Sequence, residues 1–235
     1  MSRSSARADS RAERASACIK ELKLKFEKYV HSVVMTLASD GDAASGRVGD
    51  LMVDRRFLDF LHGTLGIASE IGELTEALRK ARYAIDLDSV SYIDEDIRLE
   101  VLGELGDIMW FTGLTSRALG VVGEIGGGVD SRSYDGMVYG GVEPTEEMII
   151  YSADLLSRAK AKMFYDRDIR VAASIVLLRR IVAGTRIIAG NFGWTLEDVI
   201  EANIQKLEKR YPNMEFSKYR ANERDTDAEF EAMKV

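Results

Sequence analysis

Apolar residues recur at helical spacing along most of the chain. Ile19, Leu22, Phe26, Tyr29 and Val33 form a first stripe, which predicts an amphipathic helix over about 16–37. A Ser-, Asp- and Gly-containing linker is expected from Ser39 to Gly49. A second pattern starts near Asp54 and continues to about Tyr83, with Ile67, Ile71, Leu74 and Leu78 on one face. After the polar stretch Asp86 to Asp96, a third helix should carry Leu102, Leu105, Met109 and Thr112 on one side. It should end near Gly120, where glycine accepts a left-handed cap.

From Leu119 to Val142 the chain holds eight glycines, a composition that predicts a long loop or short hairpin instead of a helix. Pro144 and Thr145 open a further helix to about Tyr165, and Ile169 to Ala189 makes another. These two read as an inserted helical pair. Thr195 caps a last helix that runs through Arg210 and is stopped by Tyr211 and Pro212, and a charged tail with little apolar content follows. The fold class expected is therefore all-α. The first sixteen residues read as a disordered tail, and 17–235 as one domain with an insertion at about 121–192.

Composition narrows the function. The chain has 235 residues, 30% of them charged and 46% hydrophobic, which is an ordinary globular balance and excludes a wholly disordered or collagen-like chain. Cys18 is the only cysteine, so no internal disulfide or cysteine-based zinc site is expected, and a cytoplasmic location fits best. A net charge of -7 argues against binding a nucleic-acid polymer. The longest apolar run, Ala172 to Leu178 interrupted by Ser174, is far short of the roughly 20 residues that cross a bilayer, so no membrane partner is expected. The N-terminal residues lack the apolar segment of a signal peptide.

Acidic residues carry the candidate chemistry. Glu70 and Glu73 on the second helix, and Glu104 and Asp107 on the third, are spaced i, i+3, which puts each pair on one helical face. If the two helices pack antiparallel, the pairs face each other, and a divalent cation would relieve their repulsion. Hard oxygen ligands select Mg²⁺ or Mn²⁺. Gly66, Gly72, Gly103 and Gly106 sit inside these helices, where each costs roughly 0.5–1 kcal/mol against Ala, so close approach of helices or of a ligand is expected to offset that cost. Asn203, Lys206 and Arg210 make a polar stripe on the last helix, available either to phosphate oxygens or to solvent-exposed pairing with Glu201 or Glu208. Trp110 and Phe111, just beyond Asp107, are placed either to stack on a base or to pack in the core. Glu76, one turn on from Glu73, is placed either behind the metal ligands or in solvent, with solvent the favoured reading.

Three segments taken together, LHGTLGIASEIGELTEALRK from Leu61, EVLGELGDIMWFTGLTSRALG from Glu100 and GWTLEDVIEANIQKLEKRYP from Gly193, resemble the MazG-like nucleoside triphosphate pyrophosphohydrolases, particularly phage-encoded forms. Glu70 and Glu73 match that family's ExxE motif, and Glu104 and Asp107 its ExxD motif. The resemblance implies a four-helix core of the all-α pyrophosphatase type, assembled as a homodimer or homotetramer. It also implies Mg²⁺ ligation by the four carboxylates and hydrolysis of a nucleoside triphosphate to the monophosphate and pyrophosphate. Asn203, Lys206 and Arg210 match the closing helix that faces nucleotide or phosphate. With Trp110, and with Lys80 at the end of the first segment, they make up the substrate contacts this reading assigns.

The gap between the two acidic motifs is long for the family, and Gly123 to Asn191 is an insertion relative to its shortest members. It leaves open a lid, an extended base pocket or an oligomer interface. Three competing readings stand beside the main one. The first is a dimeric dUTPase or dCTPase of narrow base specificity, and the second a non-catalytic helical module that binds a metal or a partner. The third, a di-iron carboxylate protein, wants Glu-x-x-His on two helices, whereas only His31 and His62 are present and neither follows a Glu at that spacing.

Overall fold

The longest predicted stripe becomes the longest helix. In the computed structural model, which describes Lys28, Val30 and residues 41–88, 93–126, 143–212 and 215–233, nine helices follow one another and no strand occurs among the described residues. They are α1 (Gly41–Leu51), α2 (Arg55–Asp88), α3 (Glu95–Leu119), α4 (Val122–Gly126), α5 (Pro144–Tyr165), α6 (Val171–Asn191), α7 (Leu196–Arg210), α8 (Lys218–Asn222) and α9 (Thr226–Ala232). The expected N-terminal tail, the helix over 16–37 as a whole and Cys18 lie outside the described residues. The chain divides into two compact units, 1–48 and 49–235, and the bundle and the cleft described below belong to the second.

Helices α2 and α3 lie antiparallel. The Arg56 guanidinium donates to the Ala118 carbonyl at one end, and the Lys80 ammonium meets Glu100 at the other. Helix α5 runs antiparallel to α2, since Arg82 pairs with Glu143 at its start while Phe60 clusters with Ala159 and Met163 near its end. Helix α6 returns beside α3: Arg179 donates to the Glu124 carbonyl and Arg98 to the Phe192 carbonyl. The result is a four-helix bundle whose helices run up, down, down and up in chain order, so that α3 and α5 are parallel. The pair α5 and α6, read from sequence as inserted, supplies two of its four helices, with Met148, Leu155, Leu178 and Ile181 fully buried in the same core as Ile67, Ile71, Leu105 and Ile108.

Local signals explain the helix ends. The Asp94 side chain caps α3 at its start and Gly120, at φ 74°, caps it in the left-handed region at its end. Thr195 and Asp198 form a reciprocal capping box at the start of α7. None of the described helices is long and apolar enough to cross a membrane.

Three sequence expectations change. The linker expected from Ser39 to Gly49 is helical from Gly41 onward; it is rich in Gly and Asp and none of residues 45–51 is buried, so neither propensity nor apolar periodicity registers it. Within the glycine-rich stretch, Val122–Gly126 is a short helix because Val121 and Ile125, four apart, both reach the core, while 127–142 lie outside the described residues. The charged C-terminal tail also folds: Ser217 and Asp225 cap α8 and α9, and Met233 is fully buried.

Glycines set how closely α2 and α3 pack. A Cβ at Gly66 would lie 2.2 Å from the Phe111 ring, and one at Gly63 2.2 Å from the Thr115 hydroxyl, so both must be glycine for the helices to meet as they do. Gly72, in contrast, has nothing within 4 Å of where its Cβ would stand. Gly66→Ala should therefore destabilise the fold by about 1–3 kcal/mol through overpacking. Gly72→Ala should stabilise it by roughly 0.5–1 kcal/mol through helix propensity. Urea midpoints of the two variants check the contrast, which reversed signs or equal effects would refute.

Candidate active site

The antiparallel seam brings the two acidic motifs together. One carboxylate oxygen each from Glu70, Glu104 and Asp107 lie within 4.8 Å of one another, and all three side chains are half-buried. Glu73 is exposed and lies outside this trio, although it lines the same cleft. A cluster of hard oxygen donors at this spacing is able to hold a metal ion. The Glu104 Oε2 atom gives a reason to expect one, because it is buried and has no hydrogen-bond partner.

Charge balance in the cluster follows from burial. Desolvation, and then the neighbouring Glu70 carboxylate, push the Glu104 carboxyl up to about 8. Burial and the nearby Asp107 charge likewise raise the Glu70 carboxyl above the usual range. The free site therefore holds a proton near neutral pH. Asp107 is treated differently: the Asn203 amide donates to its Oδ1 at 2.9 Å, and the Lys206 ammonium lies 2.5 Å from its Oδ2. Both partners come from α7 and both are buried, Lys206 with only 4% of its side chain exposed. Gly106 makes room for this contact, since a Cβ there would stand 2.8 Å from that of Asn203.

Around the acids lies a cleft of about 720 Å³, formed by α2, α3, α7 and the C-terminal segment. Its aromatic wall is His62, Trp110 and Phe111, with rings packed edge to face at centroid separations of 4.8 to 6.1 Å. Cationic groups reach it from Lys206, Arg210 and Arg224, and further aromatic surface from Tyr211, Phe216 and Phe230. Such a cavity has room for a small organic anion together with a metal ion.

Among the residues singled out by sequence, Glu70, Glu73, Glu104, Asp107, Trp110, Lys206 and Arg210 all line the cleft. Asn203 stands behind Asp107 as its hydrogen-bond donor. Lys80 is not on the cleft wall; it pairs with Glu100, whose side chain is. Glu76 is half-exposed and held by Arg79, away from the cleft, as the solvent-facing reading expects. Arg210 is forked onto Glu229 of α9 through bonds of 2.8 and 2.6 Å. His62, Arg224 and Glu229 were not singled out as site residues. His62 had a weak signal, lying two turns before Glu70 on the same helix, and the other two had none. No family model matches the chain, and neither a characterised protein nor a solved structure is significantly similar to it.

Because the folded Glu104 carboxyl binds its proton up to about pH 8 and an unfolded one releases it near 4.5, the metal-free fold should lose stability as pH rises between those values. A divalent ion must displace that proton, so its affinity should climb by at most about tenfold per pH unit up to about pH 8 and then level off. Titration with Mn²⁺ as a probe at several pH values checks this, with thermal unfolding run in parallel. Glu104→Gln should weaken binding and flatten the pH dependence. A pH-independent affinity in the unaltered protein would refute the shared-proton account.

Proposed function

We propose that the protein hydrolyses (deoxy)nucleoside triphosphates to the monophosphate and pyrophosphate in a Mg²⁺-dependent reaction, the activity implied by the resemblance to MazG-like pyrophosphohydrolases. One observation carries the reading: Glu70, Glu104 and Asp107 converge on the wall of a nucleotide-sized cleft, with a Glu104 oxygen buried and unpartnered. An oxygen-only donor set fits Mg²⁺, or Mn²⁺ in its place. Those three carboxylates would hold the ion. When bound, it supplies charge neutralisation on the triphosphate and lowers the pKa of a water molecule.

The chain's own groups supply the rest. Glu73 lines the cleft without belonging to the cation cluster, and we assign it the proton of the attacking water. Water oxygen bonds to the α-phosphorus, the bond from that phosphorus to the α,β-bridging oxygen breaks, and pyrophosphate departs with the electron pair. Lys206 and Arg210 face the charge that accumulates on the phosphates. Trp110, exposed at the cleft and braced edge to face by His62 and Phe111, offers its indole ring to the base. Asn203 keeps Asp107 oriented, and Lys80 acts on the cleft only through Glu100.

A non-catalytic metal-binding module would use the same carboxylates but would need neither Glu73 nor the aromatic wall. Incubating the protein with Mg²⁺ and each common NTP and dNTP, and resolving products by chromatography, separates the readings. Monophosphate and pyrophosphate are expected, with Glu73→Gln lowering turnover by about 10²-fold or more while Mn²⁺ affinity changes little. Glu70→Gln should lose both. Survival of every nucleotide would sink the hydrolase reading, and release of orthophosphate would move the attack away from the α-phosphorus.

A further inference from the structure

Glu229 is an unusual residue for the end of a polar chain. It sits on α9 with 2% of its surface exposed, and it takes two guanidinium groups at once. Arg210 of α7 forks onto both of its oxygens, and Arg224, just before α9, reaches Oε2 at 3.0 Å. Burial would raise the Glu229 carboxyl, but the two arginines hold it below the usual carboxylate range. Two full positive charges against one negative leave the triad with a net charge of +1, and both arginines line the acidic cleft. The Asp107 carboxylate of the cation cluster also acts on Arg210, which places this triad next to the metal-binding acids.

The anchoring of α9 fixes where that charge stands. Met233 is fully buried, and its Cε lies 3.7 Å from where a Cβ on Gly103 would stand, the same distance as the Lys206 ammonium. The C-terminal segment is thus docked against the helix that carries Glu104 and Asp107. A lone surface salt bridge would contribute little here. A buried carboxylate that gathers two arginines onto one cleft wall instead pre-orients donors whose remaining N–H groups point to an anion of more than one charge.

We propose that Arg224, together with Arg210, binds the terminal phosphates of the substrate, and that Glu229 is a positioning residue that sets both guanidiniums for this task. The inference rests on the triphosphate reading above and extends it: the C-terminal helix becomes part of the phosphate site. Arg224 is the more informative position to alter, because 42% of its side chain is exposed and the fold does not hang on it.

Inorganic tripolyphosphate with Mg²⁺ is the probe, since it carries the phosphate chain without a base. Calorimetry on the full chain should give Arg224→Gln a Kd raised by about tenfold, with Arg224→Lys in between. Mn²⁺ affinity should stay unchanged, and the unfolding midpoint should fall only slightly because Arg210 still pairs with Glu229. In hydrolysis, Arg224→Gln should raise KM about tenfold with kcat within about twofold. Glu229→Gln should weaken tripolyphosphate in the same direction, again without a change in Mn²⁺ affinity. If the unaltered protein binds tripolyphosphate and Arg224→Gln binds it equally well, the inference is overturned while the hydrolase reading stands. If the unaltered protein neither binds tripolyphosphate nor hydrolyses any nucleotide, both fall together.

Discussion

Repulsion among half-buried carboxylates is the constraint from which the rest of the structure follows. Three acidic oxygens within 4.8 Å of one another would repel by roughly 3 kcal/mol per fully charged pair at an effective dielectric near 20. Three such pairs rival the whole net stability of a typical domain, roughly 5–15 kcal/mol. The fold cannot carry that charge uncompensated. It answers in two ways at once: Glu104 keeps a proton up to about pH 8, and Asp107 receives the Lys206 ammonium and the Asn203 amide. Helix α7 is therefore as much a counter-charge as a packing element. Its buried stripe of Leu196, Val199 and Ala202 continues directly into Asn203 and Lys206.

Backbone approach is the second half of the same arrangement. Phe111 fills the notch left by Gly66 and touches His62 and Trp110, so the glycine that lets α2 and α3 meet also sets the aromatic wall of the cleft. Gly106 does the equivalent for Asn203 and Asp107. Packing and site geometry are thus coupled through two missing Cβ atoms, and a substitution at either would shift a cleft residue together with the core. Gly72 and Gly103 sit in the same motifs without that role: the first faces open space and the second only ordinary contacts.

Much of this was legible in the sequence where periodicity or capping carries the information. Helices α2, α3, α5, α6 and α7 follow their apolar stripes, and the Thr195 cap and the Gly120 terminus stand where their residue types require. Helix α1 was not legible, because it has no stripe, and the C-terminal helices were hidden by a charged composition whose one deep anchor is Met233. At the site, i, i+3 spacing identified both acidic pairs but not which members converge. Residues three apart on a helix differ in direction by about 60°, so the rotation of α2 about its axis decides that Glu70 turns inward while Glu73 stays exposed. That rotation is set by the whole core. Likewise Arg210 meets Glu229 across 19 residues, through a docking that no local pattern encodes.

The pairing of buried Lys206 with half-buried Asp107 completes the logic of a site built to exchange charge. Removing Asp107 would leave the buried Lys206 ammonium uncompensated, so the pair is held firmly in the free protein. The proton on Glu104 is held by burial and by its hydrogen bond with Glu70, and a cation shared by the two carboxylates replaces that proton in kind. When a cation approaches, the group that yields is therefore Glu104, which loses a proton, while Asp107 keeps Lys206 beside it. A positive side chain then remains next to the cation cluster, where a polyanion would meet both. Proton, ammonium and the Arg210–Glu229–Arg224 triad together let one cleft carry six acidic side chains on its walls and still present positive charge to a phosphate.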